Sequence, residues 1–255
     1  MEQKDQTRYD LQGRNALITG SSKGIGLETA RLFLRNGAEV VVHGSSQENC
    51  DRAVKRLGGG IPIPCDLSLQ TTWSDFCDRV RDKLHGRLDA LVFNAGIFPG
   101  ATVEQQDLDS WQRVQRINVD SSYAMIRQLL PCLRKSDSAS VVFVSSAVVR
   151  IGRGDSPAYV ASKNAQIGLA RHLAGELGPE NIRVNSVLPG LVRTPGSIKN
   201  APDLDADAFA QTRQMLKVPL SCADVAHPIA FLSSPAAKGI TAACLDVNGG
   251  SAVGG

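Results

Sequence analysis

The sequence predicts an α/β fold, a doubly wound parallel sheet of about seven strands with helices on both faces. Three observations predict it. Short β-branched runs alternate with longer helical stretches along the whole chain. The runs are apolar on successive residues, as in strands buried on both faces. A glycine-rich turn joins the first run to the first helical stretch, the usual start of a strand–turn–helix unit.

Residues 15–19 (NALIT) form the first predicted strand, and residues 24–36 the first helix, with Ile25, Ala30, Phe33 and Leu34 on one face. The second unit pairs 39–43 (EVVVH) with a helix over 47–57, and the third pairs 61–64 with 71–84. Residues 89–93 (DALVF) lead into one long helix over about 109–133. Residues 140–144 (SVVFV) precede a helix over 157–177, and 182–187 precede an irregular stretch, 191–220, rich in Pro, Asp and Ala. A helix over 222–232 and a strand over 243–247 complete the alternation. An irregular stretch of that length inside a compact fold is expected to be functional or mobile.

At 255 residues the chain is long enough for one large domain or two small ones. No Ser/Gly/Pro linker divides it and the alternation runs through its middle, so residues 1–255 are expected to form one domain. No apolar run approaches the ~20 residues of a membrane helix, and residues 1–10 (MEQKDQTRYD) lack the apolar stretch of a secretory signal. Lys and Arg number 28 against 25 Asp and Glu, and they are scattered rather than clustered, which argues against a nucleic-acid partner. The six cysteines contain no C-x-x-C pair and the four histidines lie far apart, so neither a zinc site nor a disulfide framework is expected. Reduced thiols and a cytoplasmic location follow as expectations.

Two features carry chemistry. Thr19-Gly20-Ser21-Ser22-Lys23-Gly24-Ile25-Gly26 follows the first strand and opens a helix, which places backbone N–H groups and a positive helix end against a phosphate. Tyr159 and Lys163 stand four apart in a helical segment and share one face. A phenol ionises near ~10 and is a poor base at neutral pH. A neighbouring ammonium favours the phenolate, so the pair suits moving a proton on and off an alcohol oxygen.

The glycine octet resembles the first motif of the short-chain dehydrogenase/reductase family, T-G-x-x-x-G-x-G. Further matches follow in order: Asp66-Leu67, Asn94-Ala95-Gly96, Asn118, Ser146, Tyr159-x-x-x-Lys163, Pro189-Gly190 with Thr194, and Val247-Asn248-Gly249-Gly250. The resemblance implies a Rossmann-type sheet and an oxidoreductase that transfers a hydride between a nicotinamide cofactor and a carbonyl or secondary alcohol. It implies that Ser146 holds the substrate oxygen, with Ser145 in support at most. Tyr159 would be the general acid/base, Lys163 would favour its ionisation and hold the nicotinamide ribose, and Asn118 would hold a water joining Lys163 to solvent.

The same resemblance assigns cofactor contacts to Gly20, Ser22, Lys23, Gly24, Ile25 and Gly26, and to Asn94, Ala95 and Gly96. Asp66 and Leu67 would frame the adenine. Pro189, Gly190, Val192 and Thr194 would lie at the nicotinamide. Gly44 stands where NAD-dependent relatives carry an Asp, and Lys23 matches a basic position common in NADP-preferring ones, so Lys23, Ser45 and Ser46 are expected to receive a 2′-phosphate. NADP is favoured over NAD, although Ser45 stands where many NADP enzymes carry Arg.

Substrate choice is expected in 191–220, 147–156 and 97–103, where Ile97, Phe98, Val148, Val149, Ile151, Ile198 and Met215 make the pocket partly apolar. The pattern is similar to the 3-oxoacyl-[acyl-carrier-protein] reductase-like group. A carrier-bound thioester reductase, an NAD-dependent alcohol or sugar dehydrogenase and an NADP-sensing regulator are the alternatives. Homotetramers, or homodimers, are the assembly implied, with Ala161, Ala165 and Gly168 small enough for close helix contact. Ala242 departs from the family in standing where Gly is frequent before the final strand.

Overall fold

The computed structural model describes residues 9–151 and 156–253. Residues 1–8 of the polar amino-terminal stretch and residues 152–155 of the expected substrate segment lie outside the described residues. Seven parallel strands form one sheet in the order β3-β2-β1-β4-β5-β6-β7. They are β1 (Asn15–Ile18), β2 (Glu39–Gly44), β3 (Ile61–Pro64), β4 (Ala90–Phe93), β5 (Ser140–Val144), β6 (Arg183–Pro189) and β7 (Cys244–Val247). The strand order reverses between β1 and β4, and the loops leaving their carboxyl ends diverge there. A crevice at such a switch point is where open α/β sheets bind ligands.

Alternate residues of the strands enter two cores. Leu17, Val41, Leu91, Phe93, Val141, Phe143 and Val184 pack on one side with α3 (Trp73–Lys83), α5 (Ser121–Leu133) and α6 (Pro157–Leu177). Ala16, Ile18, Val40, Val42, Val92, Val142 and Val187 pack on the other with α1 (Gly24–Arg35) and α9 (Cys222–Ser233). Burial on both faces explains why the strands read as unbroken apolar runs. Helix α2 (Gln47–Leu57) starts at a Ser46 cap and ends at Gly58 in the left-handed conformation. The buried Arg183 guanidinium donates to Leu232 O at 2.7 Å and Ser234 O at 3.1 Å, satisfying carbonyls at the end of α9.

Two stretches differ from the expected elements. The long helix is α4 (Leu108–Gln115) joined to α5 through a π-helical turn, Arg116–Asp120, which contains Asn118. A wide turn of this kind leaves little trace in apolar periodicity, and such turns favour functional positions. The expected irregular stretch contains two helices, α7 (Pro195–Asn200) and α8 (Ala206–Arg213). Each is short and held by its cap, Thr194 or Asp205, rather than by an apolar stripe. The end of the stretch is pinned to the Gly249-Gly250 turn, where a Cβ on either glycine would strike Gln214 or Met215. Ala242 has a φ of +59°, the left-handed conformation that a glycine would adopt without strain. Among the described residues no helix is long and apolar enough to cross a membrane.

Candidate active site

The carboxyl ends of β1, β4, β5 and β6 present the glycine loop, Asn94–Gly96, Ser145-Ser146 and Gly190 on one edge of the sheet. In the glycine loop, Gly20 (φ +66°) and Gly24 (φ +59°) make the turn. Asn94 closes it from β4. Its Nδ2 donates to Thr19 O at 2.9 Å and Gly20 O at 3.1 Å, and its own N–H donates to Thr19 Oγ1. A Cβ on Gly26 would lie 2.4 Å from Asn94 Nδ2 and 2.5 Å from Gly20 O. The glycines at 20, 26 and 190 are therefore already required by protein neighbours: Ala95, Asn94 and the Asn248 backbone. Gly24 and Gly96 differ, facing Thr194 and the Asn118–Lys163 pair respectively.

His43, at the end of β2, was not singled out by the sequence. Its Nδ1 accepts from Gly20 N–H at 2.8 Å, and its Nε2 lies 3.1 Å from Cys65 O, so the proton sits on Nε2. Burial lowers its pKa to about 4. The unfolded chain protonates His43 near ~6.5 while the folded one does not, so folding stability falls as pH drops from about 6.5 to about 4. Chemical denaturation at pH 7 and pH 4 should show a loss of about 3 kcal/mol from this group, absent in His43→Gln. Equal acid sensitivity of the two proteins would overturn the assignment.

Around the expected adenosine end, Gly44 is buried, and a Cβ there would lie 3.1 Å from Ser22 Cβ and 3.3 Å from Asn49 Cβ. Lys23, Ser45 and Ser46 are exposed. Ser46 Oγ caps α2 by accepting from Asn49 N–H at 3.3 Å. The Asp66 carboxylate accepts from Ser68 N–H and Oγ–H, which hold its pKa below the usual carboxylate range. Leu67 is buried in the core beside α3, and Val192 in the core beside α1 and α9. Their side chains are thus buried in the core. Thr194 caps α7 by accepting from Ser197 N–H at 3.1 Å.

The structure brings the four expected catalytic residues to neighbouring elements of one region. Ser145 is buried, and its Oγ–H donates to Lys163 O at 2.9 Å. Ser146 is half-buried and accepts from Val148 N–H at 3.3 Å. Lys163 is buried, with Nζ 5.7 Å from the centre of the Tyr159 ring. Nζ donates to Val144 O at 2.8 Å and Gln166 Oε1 at 3.1 Å. Burial lowers its pKa to about 7. Asn118 Nδ2 donates to Ile97 O at 3.0 Å and Ser162 Oγ at 2.9 Å, while Oδ1 accepts from Ile97 N–H. The Asn118 carbonyl accepts from Gln166 Nε2–H at 2.7 Å. The sequence reading missed Gln166, and the available signal was a polar residue three positions after Lys163 on the same helix face.

Phe98 lies 5.7 Å from Tyr159, ring centre to ring centre, and packs against Gly196 of α7, where a Cβ would come within 3.0 Å. Ile151, Ile198 and Met215 are exposed. Burial pushes the Cys77 thiol up to about 12 and the Cys50 thiol up to about 11, which disfavours their thiolates. Among the described residues no group of His, Cys, Asp and Glu could hold a metal ion.

A family model described as "Enoyl-(Acyl carrier protein) reductase" matches residues 20–252. The 3-oxoacyl-[acyl-carrier-protein] reductase FabG of Thermotoga maritima is 34% identical over 248 residues, covering 94% of this chain and 98% of that one. A solved Pseudomonas aeruginosa RhlG/NADP active-site complex is similar with a TM-score of 0.87 and 32% identity, covering 95% of this chain and 97% of that one. A 3-ketoacyl-(acyl-carrier-protein) reductase from Brucella melitensis complexed with NADH gives a TM-score of 0.87 at 29% identity, covering 95% of this chain and all of that one.

Proposed function

The chain belongs to the short-chain dehydrogenase/reductase family, an NAD(P)-dependent oxidoreductase acting on CH–OH/C=O groups, and we propose that it reduces ketones with NADPH, using Tyr159 as general acid/base. The observation that carries this reading is the buried Lys163 ammonium beside the Tyr159 ring, with no carboxylate hydrogen-bonded or ion-paired to it among the described residues. In its charged form, which burial confines to pH below about 7, Lys163 favours the phenolate. Tyr159 gives its proton to the carbonyl oxygen in reduction and removes one in alcohol oxidation, while Ser146 holds that oxygen. The bound nicotinamide supplies the hydride. The glycine loop, Asn94–Gly96 and Thr194 would hold the cofactor.

NADP is favoured because Gly44 supplies no carboxylate to accept from the ribose 2′-OH or repel a 2′-phosphate. Lys23, Ser45, Ser46 and the amino-terminal end of α2 offer a cation, two hydroxyls and a helix dipole for a 2′-phosphate. Lys23→Ala should raise the KM for NADPH by about tenfold, one exposed charge-assisted bond, and leave that for NADH unchanged. Equal effects on both cofactors would return Lys23 to a solvated surface residue.

The experiment that tests the function is a panel of ketones, diketones and 3-oxoacyl thioesters, each run with NADPH and with NADH. Oxidation of NADPH by a simple ketone supports the proposal. Turnover confined to thioesters favours the carrier-protein alternative, and preference for NADH with sugars or alcohols the dehydrogenase alternative. Binding of NADPH with no turnover across the panel would make the chain a sensor. The protein is read as one cytoplasmic domain that assembles as a homotetramer or homodimer, with Ala165 and Gly168 exposed on α6. Light scattering that finds a monomer would overturn that assembly.

A further inference from the structure

We infer that Gln166 is a positioning residue for Lys163: its side-chain amide bridges the ammonium to the Asn118 carbonyl and holds the lysine at the end of β5. The inference rests on the reading of Lys163 as the partner of Tyr159. Gln166 stands one helical turn beyond Lys163 on α6 and is fully buried. A buried carboxamide is costly unless both its ends are hydrogen-bonded. Here both are. Oε1 accepts from Lys163 Nζ at 3.1 Å and Nε2–H donates to Asn118 O at 2.7 Å. The orientation is fixed by chemistry, because an ammonium only donates and a carbonyl only accepts. The π-helical turn Arg116–Asp120 supplies that carbonyl at the place where the amide can reach it.

The bridge has a chemical consequence. A carboxamide accepts at oxygen and donates at nitrogen without gaining or losing a proton near neutral pH. It fixes Lys163 but cannot pass a proton from Lys163 to the Asn118 carbonyl side. Two of the three ammonium N–H bonds go to Val144 O and Gln166 Oε1. Gly96 approaches Nζ closely enough that a Cβ on it would lie 3.6 Å away. Lys163 is faced by Tyr159 on its own helix, the Val144 carbonyl of β5, Asn118 of the π turn and Gly96 after β4. No carboxylate from α4, β5, β6 or the π turn is bonded to it among the described residues.

The test is an NMR titration of the full chain labelled with 13C and 15N at lysine, with Lys163 assigned through Lys163→Met. Gln166→Leu removes an acceptor from the ammonium and disfavours the charged form. It should lower the Lys163 midpoint by about one pH unit. Gln166→Ala leaves room for a water with Nζ and the Asn118 carbonyl as partners. It should keep the midpoint close to wild type. A packing role predicts a different pattern: Gln166→Ala melts below Gln166→Leu because of its cavity, and neither moves the midpoint.

An unmoved midpoint in Gln166→Leu overturns the positioning role. None of these readouts needs a substrate. A substrate panel without turnover would therefore remove the reading of the active site separately from the Gln166–Lys163 contact.

Discussion

Tyr159→Phe is expected to lower turnover by about 10²–10⁴-fold, the range set by loss of a positioned acid/base, while NADPH binding is largely spared. The substitution deletes only the phenolic oxygen. The ring stays where Phe98 packs against it, and the Ser156 cap of α6 still accepts from the residue 159 N–H at 3.3 Å. The Asn94 bond to Thr19 O and the Lys163 bond to Val144 O do not involve that oxygen. The measurement is kcat with the best ketone of the panel, beside NADPH affinity by fluorescence titration. Activity retained within a few-fold would sink the assignment of Tyr159. Loss of NADPH binding in parallel would instead show that the ring holds the cofactor cleft open.

The second large effect is expected at Gly26, where alanine should weaken both folding and cofactor binding. A Cβ there has no room, since Asn94 Nδ2 and Gly20 O both stand within 2.5 Å of its position. Relief requires Asn94 to leave, and Asn94 is what ties β4 to the Thr19-Gly20 turn. Overpacking of this kind costs typically 1–3 kcal/mol, and the displaced loop loses the backbone N–H groups that would face a phosphate. Gly26→Ala should therefore shift the urea midpoint downward and raise the dissociation constant for NADPH at least tenfold, about 1.4 kcal/mol. Gly58→Ala, at an open surface cap, is the control that should lose stability without losing the cofactor. Unchanged NADPH affinity in Gly26→Ala would show that the loop does not bind the cofactor's phosphates.

Much of the architecture was legible because it is written in local patterns. Residues 40–42 and 141–144 are unbroken apolar runs because both faces of those strands are covered, and the observed β2 and β5 span them. The glycine octet and the Tyr159/Lys163 spacing were visible for the same reason, since each lies within a few residues of sequence. The π turn at Asn118 was not visible, because one extra residue in a helical turn barely alters periodicity. Helices α7 and α8 escaped because their caps, not an apolar stripe, define them.

What local pattern supplied, then, was the alternation of strands and helices, the phosphate-facing turn and the pairing of a phenol with an ammonium. The partners that complete these features come from distant parts of the chain. Asn94 explains Gly26, Gly20 and Cys65 explain His43, and the Asn118 carbonyl explains Gln166. Such contacts follow from strand order and helix placement, and burial then decides whether each polar group must be bonded. A glutamine three residues after a lysine is unremarkable on an exposed helix. Buried between an ammonium and a carbonyl, it can accept from one and donate to the other.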